Sequence, residues 1–281
     1  NNKQKTKPLG LYASIEYILS LGGKRLRPLL ALMATEAFGN NPEEALPAAL
    51  SVEVFHNFTL IHDDIMDQAP LRRGAPSVHN KWDENTGILS GDAMLIQAYQ
   101  CLETYPNELF FKLIKHTSKT ALEVCEGQQY DMDFETQKDV TISAYLEMIR
   151  LKTAVLVGHS LKIGAWIGNA SDQESQLLYD FGVLLGMAFQ IQDDYLDAFG
   201  NPETFGKQVG GDIIENKKTM LFLLAHELSD AEERKVLKDF FNTNPTDPSQ
   251  KIKAVKKIFI KSGAVTQIQK LMKEYTQKAL K

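Results

Sequence analysis

Cysteine is nearly absent from this chain. The 281 residues hold two, Cys101 and Cys125, and neither belongs to a Cys-x-x-Cys pair. That excludes a disulfide framework and points to a reducing compartment, the cytoplasm. The six His residues show no zinc-ligand spacing. No apolar run approaches the roughly 18–20 residues needed to span a bilayer. No signal-peptide pattern opens the chain; its first residue is Asn1, so the numbering is expected to start inside a longer native chain. A Gly-x-x-x-x-Gly-Lys-Ser/Thr loop is missing, which argues against a nucleotide, and so is the Gly-x-Ser-x-Gly elbow of serine hydrolases. A basic excess is also missing. The formal net charge is −5, which argues against nucleic acid as the main partner. An anionic substrate stays open, because a bound metal inverts the local charge. There is no sustained alternation of period two and no Asn-Gly or Asp-Gly hairpin signal, so strands are not expected. One Glu-x-x-His, Glu53 to His56, has no second copy, and a di-iron carboxylate centre needs two. The sequons at Asn57 and Asn169 are read as chance.

What the chain does have is apolar residues at helical spacing. Hydrophobic residues make up 43% of it, enough for a sizeable core. Leu29, Leu30, Leu32, Met33 and Ala37 follow Pro28, a good first-turn residue, and the pattern stops at Gly39-Asn40-Asn41-Pro42. A second helix starts near Pro42 or Pro47 and runs through Leu50, Val54, Phe58 and Ile61. Further helices are expected over 88–105, 108–130, 142–167, 174–196, 220–228 and 231–241. The last covers 251–279 with a break at Gly263. Loops fall at 69–80, 168–173, 199–217 and 243–249, and none is a long linker. The reading is a single all-α domain of about ten helices over residues 1–281.

Two acid clusters carry the chemistry. The first is Asp63-Asp64-Ile65-Met66-Asp67 and the second Asp193-Asp194-Tyr195-Leu196-Asp197. Residues i and i+4 lie about 40° apart and one turn apart on a helix, so Asp63 and Asp67 point the same way. Carboxylates at that spacing suit Mg²⁺, which is commonly shared with substrate phosphates. Either cluster alone is open to a plainer reading, a solvated helix end. Both end apolar runs, and the identical spacing repeats far along the chain. Facing one another, they would grip metals bound to one diphosphate. Gly22-Gly23-Lys24-Arg25-Leu26-Arg27-Pro28 and Arg72-Arg73-Gly74 add guanidinium forks that match phosphate oxygens.

These strings resemble the trans-prenyl diphosphate synthases. His56-Asn57-Phe58-Thr59-Leu60-Ile61-His62 leading into the first cluster, then Leu71-Arg72-Arg73-Gly74-Ala75-Pro76, is similar to that family's first aspartate-rich region. Phe189-Gln190-Ile191-Gln192 leading into the second cluster is similar to its second. Gly22 to Pro28, Gly127-Gln128-Gln129-Tyr130-Asp131, Lys152-Thr153, Gly206-Lys207 and Lys217-Lys218-Thr219 follow the family's order of blocks. The resemblance implies an orthogonal helical bundle around a deep central cavity, a homodimer and a Mg²⁺-dependent prenyltransferase. Isopentenyl diphosphate and an allylic diphosphate would be its substrates. It further implies that Lys24, Arg27, His56 and Arg73 bind isopentenyl diphosphate. Arg72, Lys152, Lys207 and Lys218 would serve diphosphate binding. Asp63, Asp67 and Asp193 would ligate Mg²⁺, supported by Asp64, Asp194 and Asp197, with Thr153 and Gln190 along the cation's path. No dedicated protein base is needed, because the released diphosphate takes the proton.

Residues upstream of Asp63 set the product length in this reading. Thr59 and Phe58 stand four and five residues before it, and Phe55 eight before. One aromatic beside a Thr is similar to archaeal geranylgeranyl enzymes, so a twenty-carbon product is expected, with the fifteen-carbon farnesyl product as the alternative. A terpene cyclase would lack the basic 22–28 segment, and a non-catalytic synthase subunit would have lost acids from one cluster. Both fit the residues less well.

Overall fold

A computed structural model describes residues 7–201 and 209–281. The Gly206-Lys207 pair lies outside the described residues. The fold is all-α. The helices are α1 (Leu9–Ser20), α2 (Leu26–Ala37), α3 (Leu46–Met66), α4 (Val78–Lys81), α5 (Glu84–Gln100), α6 (Asn107–Thr136) and α7 (Ile142–Ile149). They continue as α8 (Val155–Ile167), α9 (Asp172–Phe199), α10 (Gly211–Ile214), α11 (Met220–Leu228), α12 (Ala231–Phe240), α13 (Ser249–Lys261) and α14 (Ala264–Ala279). Among the described residues, no helix is long and apolar enough to cross a membrane. The chain divides into two compact units, one of Asn1–Thr120 with His159–Tyr179 and one of Ala121–Gly158 with Asp180–Lys281. The boundaries fall inside α6, α8 and α9.

Three local features depart from expectation. Helix α1 went unforeseen, because its inward face is only Ser14, Ile15 and Ile18. A small hairpin does form: β1 (Leu71–Arg72) pairs antiparallel with β2 (Ala75–Pro76). Its two-residue loop is Arg73-Gly74, with φ of 55° and 79°. Positive φ at both positions is what a tight hairpin needs; Arg supplies it here in place of the usual Asn or Asp. Finally, the stretch expected as one helix over 142–167 is interrupted by a π-turn at Arg150–Ala154. Such turns widen one helical turn and are frequent at functional sites.

In the first unit the helices approach closely through small residues. A side chain at Gly164 of α8 would strike the backbone of Ala31 in α2. There Thr35 donates to the Gly164 carbonyl at 2.8 Å. Ser14 of α1 meets Ser90 of α5 at 2.6 Å. Below these lies a polar cluster that the sequence did not announce. His116 and His159 stack at 5.0 Å between centroids, 8° from parallel. Their Nδ1 atoms are 2.8 Å apart. Thr117 spends its hydroxyl proton on the Leu113 carbonyl, so it accepts at 3.4 Å from His159 Nε2. His159 therefore carries its proton on Nε2, and His116 donates from Nδ1. Burial pushes the His116 pKa down to about 3 and that of His159 well below 6.5.

The second unit is built around α11. Its residues Met220 to Ala225 are all buried, the mark of a helix packed on every side. Phe259 and Val255 of α13, Leu237 of α12, Ile268 of α14 and Ile191 of α9 belong to the same core. Gly263, at φ 85°, separates α13 from α14 where the break was expected.

The His pair makes a pH prediction. Both rings are neutral when folded, while an unfolded His takes a proton below pH ~6.5. Stability from this pair is therefore fully present above pH 6.5 and falls as pH drops toward 4, by up to about 1.4 kcal/mol per pH unit for each ring. H116Q/H159Q should flatten that slope in urea titrations run across the range; an unaltered slope would exclude the pair as its source.

Candidate active site

The first unit holds the first acid cluster and most of the basic groups. Asp63 and Asp64 lie in the last turn of α3, and Asp67 caps it, its N–H reaching the Asp63 carbonyl at 2.9 Å. The three acids are not equivalent. Asp64 is 1% exposed and is gripped by Arg72, whose Nε donates to its two oxygens at 2.9 and 3.1 Å. The Arg72 Nη2 donates to Asp64 as well and stands 3.6 Å from Asp63. Burial pushes the Asp64 pKa up, and Arg72 opposes that push. Asp67 is exposed and Asp63 half-buried. The hairpin thus fixes the first cluster by carrying Arg72 to the one buried carboxylate.

The segment 22–27 wraps back onto the same hairpin. Arg73 donates to the Gly22 carbonyl, and its guanidinium lies where a Cβ on Gly23 would have to go. Gly23 sits at φ 120°, so glycine is needed there both for the turn and for the approach. Arg25 pairs with Glu53 and donates to the Leu19 carbonyl at 2.7 Å. Arg27 meets His56 at 3.3 Å from Nη1 to Nε2. Burial holds the His56 pKa well below 6.5, helped by Arg27, Arg73, Arg72 and Arg25. His56 is therefore neutral, and its Nε2 accepts from Arg27 while Nδ1 keeps the proton. Burial also brings Arg27 down to about 10. The Arg27 Nε is buried with no hydrogen-bond partner. Four guanidinium groups around a neutral imidazole, one with an unspent buried donor, form a seat for an anion. Lys24 is exposed at the edge of this segment.

One turn and more before Asp63, Phe55 and Phe58 are 3% and 8% exposed. Their rings pack edge to face at 5.4 Å, and Phe58 meets His62 at 4.9 Å. Thr59 turns its hydroxyl back onto the His56 carbonyl at 2.8 Å.

The second unit repeats the pattern with different partners. Asp194 is 4% exposed. It accepts from the Tyr145 hydroxyl at 2.7 Å, the Gln190 amide at 3.2 Å and the Met220 N–H at 3.2 Å. Gln190 in turn accepts from the Thr153 hydroxyl at 3.1 Å. Burial pushes Asp194 up to about 7, and its three donors pull the other way. Asp197 is held by the Asp212 N–H at 3.1 Å. Asp212 is itself pushed well above the usual carboxylate range by burial and by Asp197 and Asp194. A narrow cleft here is lined by Asp194, Asp197, Asp212, Lys217 and Thr219. Lys152, on the π-turn, pairs with Asp131 at 2.6 Å. A side chain at Gly127 would strike the backbone of Lys152, so Gly127 and Asp131 both position the Lys152-Thr153 pair. Lys218 caps α6, donating to the carbonyls of Phe134, Glu135 and Gln137 at 2.8, 3.1 and 2.8 Å. The lysine that shares the cleft is its neighbour, Lys217.

Three contributors were not singled out from the sequence. Tyr145 falls on the apolar face of a short helix and reads as core. Asp212 is a lone acid after two glycines. Arg25 stands among other basic residues, and only the fold separates its role from theirs.

The carboxylate oxygens of both clusters are the hard donors that Mg²⁺ prefers. Among the described residues, no three His, Cys, Asp or Glu side chains gather into one metal-binding group. Neither cluster is a closed cage, so an ion there would complete its shell with water and substrate oxygens, the common habit of Mg²⁺.

The family model for polyprenyl synthetase matches residues 9–258. The chain is 48% identical over 224 residues to a geranylgeranyl diphosphate synthase of Methanosarcina mazei, covering 79% of this chain and 69% of the relative. It is 41% identical over 239 residues to a geranylfarnesyl diphosphate synthase of Natronomonas pharaonis, covering 79% and 70%. A crystal structure of a geranylgeranyl pyrophosphate synthase superposes with a TM-score of 0.95 at 55% identity, covering 98% of this chain and 85% of that one.

The Tyr145–Asp194 contact should be measurable as a coupling. Y145F leaves one lobe of a buried carboxylate short of a donor, at a cost of about 1–3 kcal/mol. In a double-mutant cycle with D194N the two losses should be less than additive by about 1 kcal/mol; strict additivity in denaturant titrations would dismiss the contact.

Proposed function

That the chain belongs to the polyprenyl synthetase family, and so is a prenyltransferase, is the premise from which we propose its reaction: joining isopentenyl diphosphate to an allylic diphosphate, with Mg²⁺, to make geranylgeranyl diphosphate. The observation that carries the diphosphate reading is the anion seat of the first unit. Arg27 keeps a buried, unspent Nε donor beside neutral His56, which also feels the charge of Arg72, the clamp on Asp64 of the acid cluster. An anion alone would be repelled by Asp63 and Asp67, whereas an anion bound with a divalent cation satisfies both sets of charges.

The proposed division of labour follows the residues. Lys24, Arg27, His56 and Arg73 hold isopentenyl diphosphate. Arg72, Lys152 and Lys207 serve the allylic diphosphate, with Lys217 of the second cleft beside Lys218 as a further donor. Asp63, Asp67 and Asp193 are the Mg²⁺ ligands. When bound, the ion neutralises the departing diphosphate as a Lewis acid. Asp64 and Asp194, buried and engaged, keep their helix ends in place, and Asp197 supports the second. Thr153 and Gln190, already hydrogen-bonded to each other, present oxygens along the path of the allylic cation. A closed site around that path would exclude the water that quenches such a cation. The isopentenyl double bond attacks, and the departed diphosphate accepts the proton.

Phe55 and Phe58 are proposed as the floor that stops the growing chain. Their edge-to-face packing stiffens that floor, and Thr59 leaves it less filled than a second aromatic would. We read both units as one catalytic domain, since the family match spans both. A homodimer is part of the same proposal. Leu89 and Ile96 of α5, 61% and 60% exposed, are apolar groups that a second copy would cover. The two free thiols, Cys101 and Cys125, support a cytoplasmic setting.

Two measurements test this reading. Incubation with Mg²⁺, isopentenyl diphosphate and each allylic starter, followed by chromatography of the dephosphorylated products, should give a main product of twenty carbons; a main product of fifteen carbons would select the farnesyl reading. Phe58→Ala should lengthen the product by one or more five-carbon units, and an unchanged product would remove Phe58 from the floor.

A further inference from the structure

The charge of this chain is unevenly placed. Residues 249–281, which hold α13 and α14, contain nine Lys, one acid (Glu274) and no Arg, a local charge of +8. The whole chain is at −5, so the remainder is at −13. Three of the nine lysines have structural duties. Lys251 is buried against Asn216 and Thr243, Lys261 pairs with Glu233, and Lys270 stands 3.9 Å from Glu274.

On α13 the others form a stripe. At 100° per residue, Lys253, Lys256, Lys257 and Ile260 fall within about 100° of arc. Val255 and Phe259, both buried, lie on the opposite side. Lys253 and Lys257 are exposed and make no ion pair among the described residues. Lys256 lies over the Phe199 ring at 5.1 Å. Ile260, within the stripe, is 61% exposed. Asp247, held low chiefly by the N–H and hydroxyl of Ser249, also feels the charge of Lys253.

Helix α13 is thus amphipathic, its apolar side inward on the core and its basic side outward, with Lys256 over Phe199 at the edge. We propose that this outer face is a docking surface for an anionic lipid membrane. Lysine without arginine suits a diffuse plane of lipid phosphates, since guanidinium forks would be expected for directed phosphate contacts. Nucleic acid is disfavoured for the same reason, and the stripe offers no aromatic side chain for base stacking. Ile260 gains by entering the acyl boundary and gains nothing on a hydrophilic partner. A last argument rests on the proposed product. A prenyl diphosphate is an amphiphile, and an enzyme held at a membrane delivers it without crossing water.

The test is co-sedimentation of the full chain with sucrose-loaded vesicles. Binding is expected to vesicles containing phosphatidylglycerol at low salt, to be lost at high salt, and to be absent with pure phosphatidylcholine. K253Q/K257Q should lower the partition coefficient about thirtyfold, and Ile260→Asn should lower it further. Prenyltransferase activity in solution should match that of the parent chain, which shows the variants folded and keeps this proposal separate from the reaction. Equal binding to neutral vesicles, or full binding by the double variant, overturns the proposal. So does retention on duplex RNA at the same salt as tight as on the anionic vesicles, since that would mark a general polycation.

Discussion

Burying a carboxylate costs several kcal/mol unless donors replace the water it loses, and each acid cluster of this chain is organised around one such carboxylate. Helix geometry dictates which one. In a run Asp-Asp-x-x-Asp the first and fifth residues share a side, and the second is turned about 100° away. If the first and last acids are to serve a ligand, the second faces the packing. Asp64 and Asp194 are accordingly 1% and 4% exposed. Each must find donors, and the search for donors fixes the surroundings. Arg72 is brought to Asp64 by the short hairpin Leu71–Pro76, while Tyr145, Gln190 and the first N–H of α11 converge on Asp194.

The two solutions differ in kind, and that has consequences for charge. Asp64 is met by a guanidinium, so the pair is close to neutral and adds little field to its unit. Asp194 is met by a phenol, an amide and a backbone N–H, all neutral. Its negative charge therefore persists when ionised, next to Asp197 and Asp212. That is why burial and like charge push Asp194 and Asp212 upward. An acidic cleft of this sort favours whatever cation approaches it, with Lys217 on the same lining. In the first unit Arg25, Arg27 and Arg73 stand around a His56 that burial keeps neutral.

Much of this was legible as pattern. The repeated acid spacing, the apolar runs that each cluster ends, and the helix break at Gly263 follow from period and from residue chemistry, and the structure carries them at the expected places. The basic residues were legible as a group and not as individuals. Arg25, Arg27, Arg72 and Arg73 are alike in sequence, yet one pairs with Glu53, one keeps an unspent donor, one clamps Asp64 and one closes on Gly22 and Gly23. Lys217 and Lys218 are adjacent and diverge completely, one to a cleft and one to the end of α6. Neighbours on a chain leaving a loop point in unrelated directions, and no spacing rule assigns them. The hairpin was missed because Arg73 takes the positive φ usually left to Asn or Asp. The His116–His159 pair was missed because two lone histidines, 43 residues apart, have no local signature.

What the sequence by itself determined is the set of constraints that act within a few turns of chain. These are helical segments, carboxylates one turn apart, glycine where a turn or a close approach demands it, and the basic character of the final helices. The tertiary structure alone decided which of several like-charged groups meets which partner. Tyr145 and Met220 reach Asp194 from 49 and 26 residues away, and Lys152 finds Asp131 across 21. Hydrogen bonds and desolvation act over a few ångströms of space and are blind to separation along the chain. The choice of partner therefore becomes physical only once the helices have packed.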